Sequence, residues 1–136
     1  MIELEIPPRR DHLALARLVV ESTASLTGAL PETRIDDLRL AVSEGCTNAL
    51  DAQAAAGTEA PITLRVVVDD DAVTVTISDQ AGGFEPGEVE AAPAATDPHR
   101  LRHERGLGIP IMRSLVDRVG YEAVPGGTVL TLVVDR

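Results

Sequence analysis

The chain contains no tryptophan, and Phe84 and Tyr121 are its only aromatic residues. A core must therefore be filled by Val, Leu, Ile and Ala. At 136 residues with 44% hydrophobic content there is enough of these to build one domain around a real core. A single cysteine, Cys46, rules out an internal disulfide and points to a reducing compartment. Positive charge is scarce: 12 basic residues face 22 acidic ones, for a formal net charge of −10. A surface of that sign argues against wrapping nucleic acid or lying on anionic lipid, and suits a neutral or basic protein partner. No apolar run approaches the ~20 residues of a membrane span. The stretch after Arg9-Arg10 is broken by Arg17 and Glu21, so a signal-peptide apolar core is missing as well. The expected location is cytoplasmic.

What the chain does have is clear periodicity. Ile2, Leu4 and Ile6 alternate with Glu3 and Glu5 as a short half-buried strand, which Pro7-Pro8 ends. Asp11 is placed to N-cap a helix running to about Leu26, with Leu13, Ala16, Val20 and Ala24 on one face and Gly28 as its stop. Arg17 lies off that stripe and reads as solvated. Pro31 and Glu32 open a second helix that Gly57 ends. Its stripe is Ile35, Leu38, Val42, Cys46, Ala49 and Gln53, the last weakening it. Ala41, Gly45, Ala49 and Ala52 make a run of small residues, suited to close approach by a ligand or backbone and equally to tight helix-on-sheet packing. Ile62 to Val68 and Val73 to Ile77, joined by Asp69-Asp70-Asp71, read as an antiparallel hairpin.

Chemistry gathers at three places. On the second helix Glu44 and Asn48 stand four residues apart, so at about 3.6 residues per turn they share a face one turn apart. An amide oxygen is a hard, neutral ligand suited to Mg²⁺, which takes its remaining ligands from water and substrate phosphates. A carboxylate beside it can orient an attacking oxygen or accept its proton. The second place is Asp79-Gln80-Ala81-Gly82-Gly83-Phe84, where an acid at a strand end meets paired glycines. The third is Arg105-Gly106-Leu107-Gly108, which feeds a helix through Ile111, Met112, Leu115, Val116 and Val119. Pro110 is tolerated only in the first turn, so that helix begins at the glycines, where unpaired amides favour an anion. Between the last two, residues 85–105 lose all periodicity and carry Pro86, Pro93 and Pro98, as a lid would. Tyr121 to Val124, the Pro125-Gly126-Gly127 turn and Thr128 to Val134 form a closing hairpin whose last strand, apolar almost throughout, is expected to be central and buried. The element order predicts an α+β two-layer sandwich with helices on one face of a mixed, mostly antiparallel sheet, forming one domain over 1–136.

In this order and spacing the three stretches resemble the nucleotide-binding boxes of the Bergerat-fold ATPase superfamily of gyrase, heat-shock chaperones, histidine kinases and mismatch-repair proteins. Within it, the chain looks most like the bacterial anti-sigma factor serine/threonine kinases. Ala41 to Ala49 match that group's N-box nearly residue for residue, Asp79 to Phe84 resemble its Asp-x-Gly-x-Gly box, and Arg105 to Ile109 resemble its second glycine box.

The resemblance implies an ATP- and Mg²⁺-dependent protein kinase that holds a sigma factor and phosphorylates the antagonist that would release it. Asn48 would hold the metal and Glu44 would be the catalytic carboxylate. Asp79 would accept from the adenine amine, Gly83 would let the backbone approach the base, and Thr128 would support that site. Arg105, Gly106, Leu107 and Gly108 would meet the phosphates beneath the lid. Arg17 falls where the group uses an arginine against protein partners, and the group suggests dimers. Two positions depart from the pattern. Ala81 replaces the first glycine of its box, which narrows the allowed backbone angles, and Ala52 stands where this group often has histidine. Two other readings stay open: a nucleotide-responsive binding module without turnover, and a detached histidine-kinase catalytic domain. Against the latter, no histidine here has a phosphoacceptor-like context.

Overall fold

In a computed structural model of the chain, residues 1–82 and 108–136 are described. Strand β1 (Ile2–Ile6) leads through a 3₁₀ turn at Arg10–His12 into α1 (Leu13–Leu26) and then α2 (Glu32–Ala56). The hairpin β2 (Ile62–Val68) and β3 (Ala72–Asp79) follows, and α3 (Gly108–Leu115), β4 (Arg118–Val124) and β5 (Gly127–Asp135) complete the chain. The strands form one sheet in the order β1-β2-β3-β5-β4, antiparallel at every pairing. All three helices contribute to one apolar core against a single face of it, the two-layer α+β sandwich that the element order predicts.

The helix faces follow the spacing. On α1 the buried residues are Leu13, Ala16, Val20 and Ala24. Its start differs from expectation: Asp11 sits inside the 3₁₀ turn, and the N-cap is His12, without a side-chain capping bond. The chain folds back immediately after Pro7-Pro8, where the Arg9 amide donates to the Pro7 carbonyl at 2.7 Å, and the first turn is wound tightly as a result. At the other end Gly28, at φ +64°, takes the left-handed position while the Ala29 amide reaches back to the Ala24 carbonyl. The whole α2 stripe from Ile35 to Gln53 is buried, and the helix stops at left-handed Gly57. Its small residues serve helix-on-sheet packing. A Cβ at Gly45 would lie 2.6 Å from Leu130 Cδ2 and 2.7 Å from Ile77 Cδ1, so the glycine sets how closely α2 sits on β3 and β5.

Two expectations about the C-terminal part need correction. The third helix stops at Leu115, and Val119 belongs to β4, which starts at Arg118. The cause lies far away in sequence. Arg34 on α2 donates to the Leu115 carbonyl and to the Asp117 carboxylate, both at 3.1 Å. The Asp117 amide donates to the Val133 carbonyl at 3.0 Å, and its carboxylate accepts from the Asp135 amide at 2.7 Å. These bonds cap the helix end and hand the chain to β5 before another turn can form. The second correction concerns β5 itself. It is an interior strand, as expected, but only Thr128, Leu130, Leu132 and Val134 are buried with Gly127, while Val129, Thr131 and Val133 remain partly exposed because helices cover one face only.

Cys46 lies in this core at 1% exposure, and burial pushes its thiol up to about 12, with Arg17 opposing the shift. Only thiolate attacks alkylating reagents, so the native protein at pH 8 should react with iodoacetamide far more slowly than the same protein in urea. Equal rates would place the thiol at the surface. Because the folded state keeps this proton longer than the unfolded chain, the neutral thiol's share of stability is complete below about pH 9 and is lost as pH rises from there towards 12. Among the described residues, no helix is long and apolar enough to cross a membrane.

Candidate functional site

The middle of α2 is held against the sheet through Gly45, Cys46 and Ala49, all buried. That anchoring places Glu44 and Asn48, both half-buried, one turn apart at the edge of the buried face. Asn48 opens onto a narrow cleft between α2 and the ends of β3 and β5. Among the described residues, no side-chain hydrogen bond or ion pair engages the Glu44 carboxylate or the Asn48 amide. Among the described residues no group of three His, Cys, Asp or Glu could hold a metal ion. Asn48 lines the cleft with one neutral amide, a donor of the kind that Mg²⁺ accepts alongside phosphate and water ligands.

The floor of the cleft is built around Asp79, the last residue of β3, 8% exposed. It pairs in register with Thr128 on β5, whose hydroxyl donates to Asp79 Oδ2, while the Ala81 amide donates to Oδ1 at 3.1 Å. A carboxylate offers about four lone-pair positions. Among the described residues two are used internally, which fixes Asp79 in orientation and leaves lone pairs that a ligand amine could use.

Three residues to which the sequence assigns no part in the site shape this corner. Gln53, fully buried, interrupts the apolar stripe for a reason: its Nε2 donates to the Ala60 carbonyl and its Oε1 accepts from the Gln80 amide at 2.8 Å. It ties the end of α2 to the residue after Asp79. A polar residue at a stripe position was the available signal. Gly127 is the second. A Cβ there would lie 1.9 Å from the Asp79 carbonyl oxygen, so only glycine lets β5 pair with β3 at the site. The third is Tyr121 on β4, whose ring also lines the cleft. Burial raises its phenol above the usual 10, with the charge of Asp79 adding to the shift and a hydrogen bond with Thr128 opposing it.

The alanine at position 81 is accommodated without backbone strain. No residue other than glycine has a positive φ among those described, so Ala81 takes an ordinary conformation, and Gly82 makes the turn at φ +65° with its amide on the Gly126 carbonyl at 2.9 Å. Gly83, Arg105, Gly106, Leu107 and the segment 85–105 lie outside the described residues. Gly108 is the first residue of α3, and Pro110 falls in its first turn, as expected. Arg17 is not simply solvated: it is half-buried and reaches Ser43, the neighbour of Glu44, at 3.5 Å.

Known proteins resemble the chain over nearly its whole length. The family model described as histidine kinase-like ATPase domain matches residues 6–134. The serine-protein kinase RsbW of Bacillus pumilus (strain SAFR-032) is 32% identical over 134 residues, which cover 95% of this chain and 82% of that protein. The anti-sigma F factor of Caldanaerobacter subterraneus subsp. tengcongensis is 31% identical over 134 residues, covering 97% of this chain and 91% of the other. Among solved structures, the SiaB–SiaC complex from Pseudomonas aeruginosa contains a chain of similar fold, with a TM-score of 0.71 at 14% identity over 98% of this chain and 89% of that one. A structure of RsbU and RsbW domains from Mycobacterium tuberculosis matches at a TM-score of 0.66 and 19% identity, over 98% of this chain and 31% of the longer one.

Proposed function

This chain belongs to the histidine kinase-like ATPase domain family, and from that premise we propose that it is an ATP-dependent serine-protein kinase acting as an anti-sigma factor in a partner-switching module. The observation that carries the reading is the likeness, over nearly its whole length, to a serine-protein kinase and an anti-sigma factor, joined to a cleft where Asn48 and the Asp79–Thr128 pair face one another. In this reading Asp79 accepts from the exocyclic amine of adenine, and Thr128 keeps its carboxylate turned into the cleft. Asn48 would hold Mg²⁺ through its amide oxygen, and the ion would supply positive charge against the phosphates. Glu44, one turn away, orients the attacking serine hydroxyl and accepts its proton. Gly83 would allow the base to approach, while Arg105, Gly106, Leu107 and Gly108 would contact the phosphates beneath a lid over 85–105 of a single domain. The protein partners would be a sigma factor and its antagonist, with Arg17 at that surface beside Ser43, and the kinase would work as a homodimer. A cytoplasmic setting suits the lone reduced cysteine.

Incubation with Mg-ATP and a candidate antagonist, followed by phosphosite mapping, tests the activity. Phosphoserine on the antagonist is the expected product. ATP-dependent partner binding with no transfer would identify a binding module instead. The metal assignment has its own check. Asn48→Ala should remove the gain in ATP affinity that Mg²⁺ confers. It should leave the urea midpoint close to wild type, since a half-buried polar side chain away from the core stripe contributes within roughly 1 kcal/mol. Unchanged Mg²⁺ dependence in calorimetry would take Asn48 out of the site.

A further inference from the structure

One wall of the cleft has no part in the reading above. Tyr121 lies cross-strand from Leu130, so its side chain shares the helix-facing side of the sheet with that buried leucine. The ring lines the cleft yet is 50% exposed, packed on one side and open on the other. Thr128, whose hydroxyl serves Asp79, lines the same cleft.

The cleft encloses about 20 Å³, room for about one water molecule. A purine therefore enters only if a lining group moves, and among the described residues most of the lining is fixed. Ile77 and Leu130 are wedged against α2 at Gly45. Asp79 is held by Thr128 and by the Ala81 amide. Met112 is fully buried in the core, so displacing it would open apolar surface. Tyr121 stands on the outermost strand, half-exposed, and can swing outward without disturbing the layer beneath.

We propose that Tyr121 is the base-stacking residue of this site, its ring moving off the cleft mouth to lie against the face of an adenine whose amino group Asp79 holds. A flat aromatic face is what a purine stacks on, and the gain does not depend on hydrogen-bond readout. Selectivity for adenine therefore stays with Asp79, while Tyr121 supplies affinity for the ring. This inference rests on the cleft being an adenine site, and its test can fail separately from that reading.

The chain's poverty in aromatics provides the probe. With one tyrosine and no tryptophan, tyrosine emission reports this ring alone. ADP would be titrated into the intact protein with calorimetry and tyrosine emission followed in parallel. The expected result is an emission change that tracks the heat, absent when inorganic pyrophosphate replaces ADP. Tyr121→Phe should bind ADP nearly as wild type does, and Tyr121→Ala roughly tenfold or more weakly. Binding heat with unaltered emission, an equal response to pyrophosphate, or wild-type ADP affinity in a folded Tyr121→Ala variant each overturns the stacking role and leaves the nucleotide site standing. No heat from wild type and ADP removes the site and the role of Tyr121 with it. The wild-type emission decides the matter even if Tyr121→Ala fails to fold.

Discussion

Replacing Glu44 by glutamine should leave Mg-ATP and protein partner bound while slowing phosphate transfer at least roughly a hundredfold, the usual scale for losing a general base. Phosphoryl transfer leaves a protein little covalent chemistry to perform, so most of the catalytic effect comes from positioning and charge. Glutamine keeps the size of the side chain and its hydrogen-bonding capacity but cannot accept a proton at neutral pH. Glu44 is half-buried on α2 and off the apolar stripe, so the substitution leaves the core and every ion pair among the described residues intact. Affinity and turnover should therefore separate cleanly: little change in the dissociation constant for Mg-ATP, and a large fall in single-turnover transfer to the antagonist. A variant that transfers phosphate at the wild-type rate would remove the catalytic assignment. One that loses ATP binding in proportion to turnover would recast Glu44 as part of the binding site.

Gly127→Ala should have the largest effect on stability of any single-methyl change at the site. The added Cβ would meet the Asp79 carbonyl oxygen at 1.9 Å and the Asp79 carbonyl carbon at 2.9 Å, both backbone atoms in the centre of the sheet. No side chain can rotate away to make room. Relief requires the start of β5 to move off β3, and that breaks the register in which Thr128 faces Asp79. Overpacking at a well-packed position usually costs about 1–3 kcal/mol, and a backbone clash in an interior strand belongs at or above the upper end. Gly126→Ala, next door, makes a sharp control. Gly126 has φ +88° with open space around it, so a side chain there meets only backbone strain, of roughly 1–2 kcal/mol. Urea midpoints should fall modestly for Gly126→Ala and severely for Gly127→Ala, and ADP binding should be lost in the latter. Equal midpoints would mean that the β3–β5 approach is looser than the structure has it.

Both predictions depend on residues whose importance lies at different levels. Glu44 and Asn48 are legible as a pair because helical geometry is local: four residues apart on one helix means one face, whatever the rest of the chain does. The same locality makes the buried face of α1, the stripe of α2 and the β2–β3 hairpin readable from apolar spacing alone. Gly127 is different. As the second glycine of Pro125-Gly126-Gly127 it reads as ordinary turn chemistry, and only its close approach to the Asp79 carbonyl gives it a reason to be glycine. Ala81 is the reverse case, a departure from pattern that looks damaging in sequence and is accommodated because Gly82 takes the left-handed conformation.

By itself the sequence determined an aliphatic α+β domain, which faces of α1 and α2 are buried, the order of the strands along the chain and the likeness to an ATP-using kinase family. Tertiary structure decided where local patterns stop. Apolar spacing carries α3 on through Val119, but Arg34, 83 residues before Asp117, draws that carboxylate in and caps the helix at Leu115. Gln53 looks like a flaw in its stripe until Ala60 and Gln80 arrive as its partners. Thr128 meets Asp79 across 49 residues, and Tyr121 reaches the same cleft from another strand. Periodicity encodes which way a side chain points from its own element. It does not encode which distant group is waiting there, because that depends on how β3, β5 and β4 align once the sheet has formed, and polar groups buried by that alignment keep only the partners it brings.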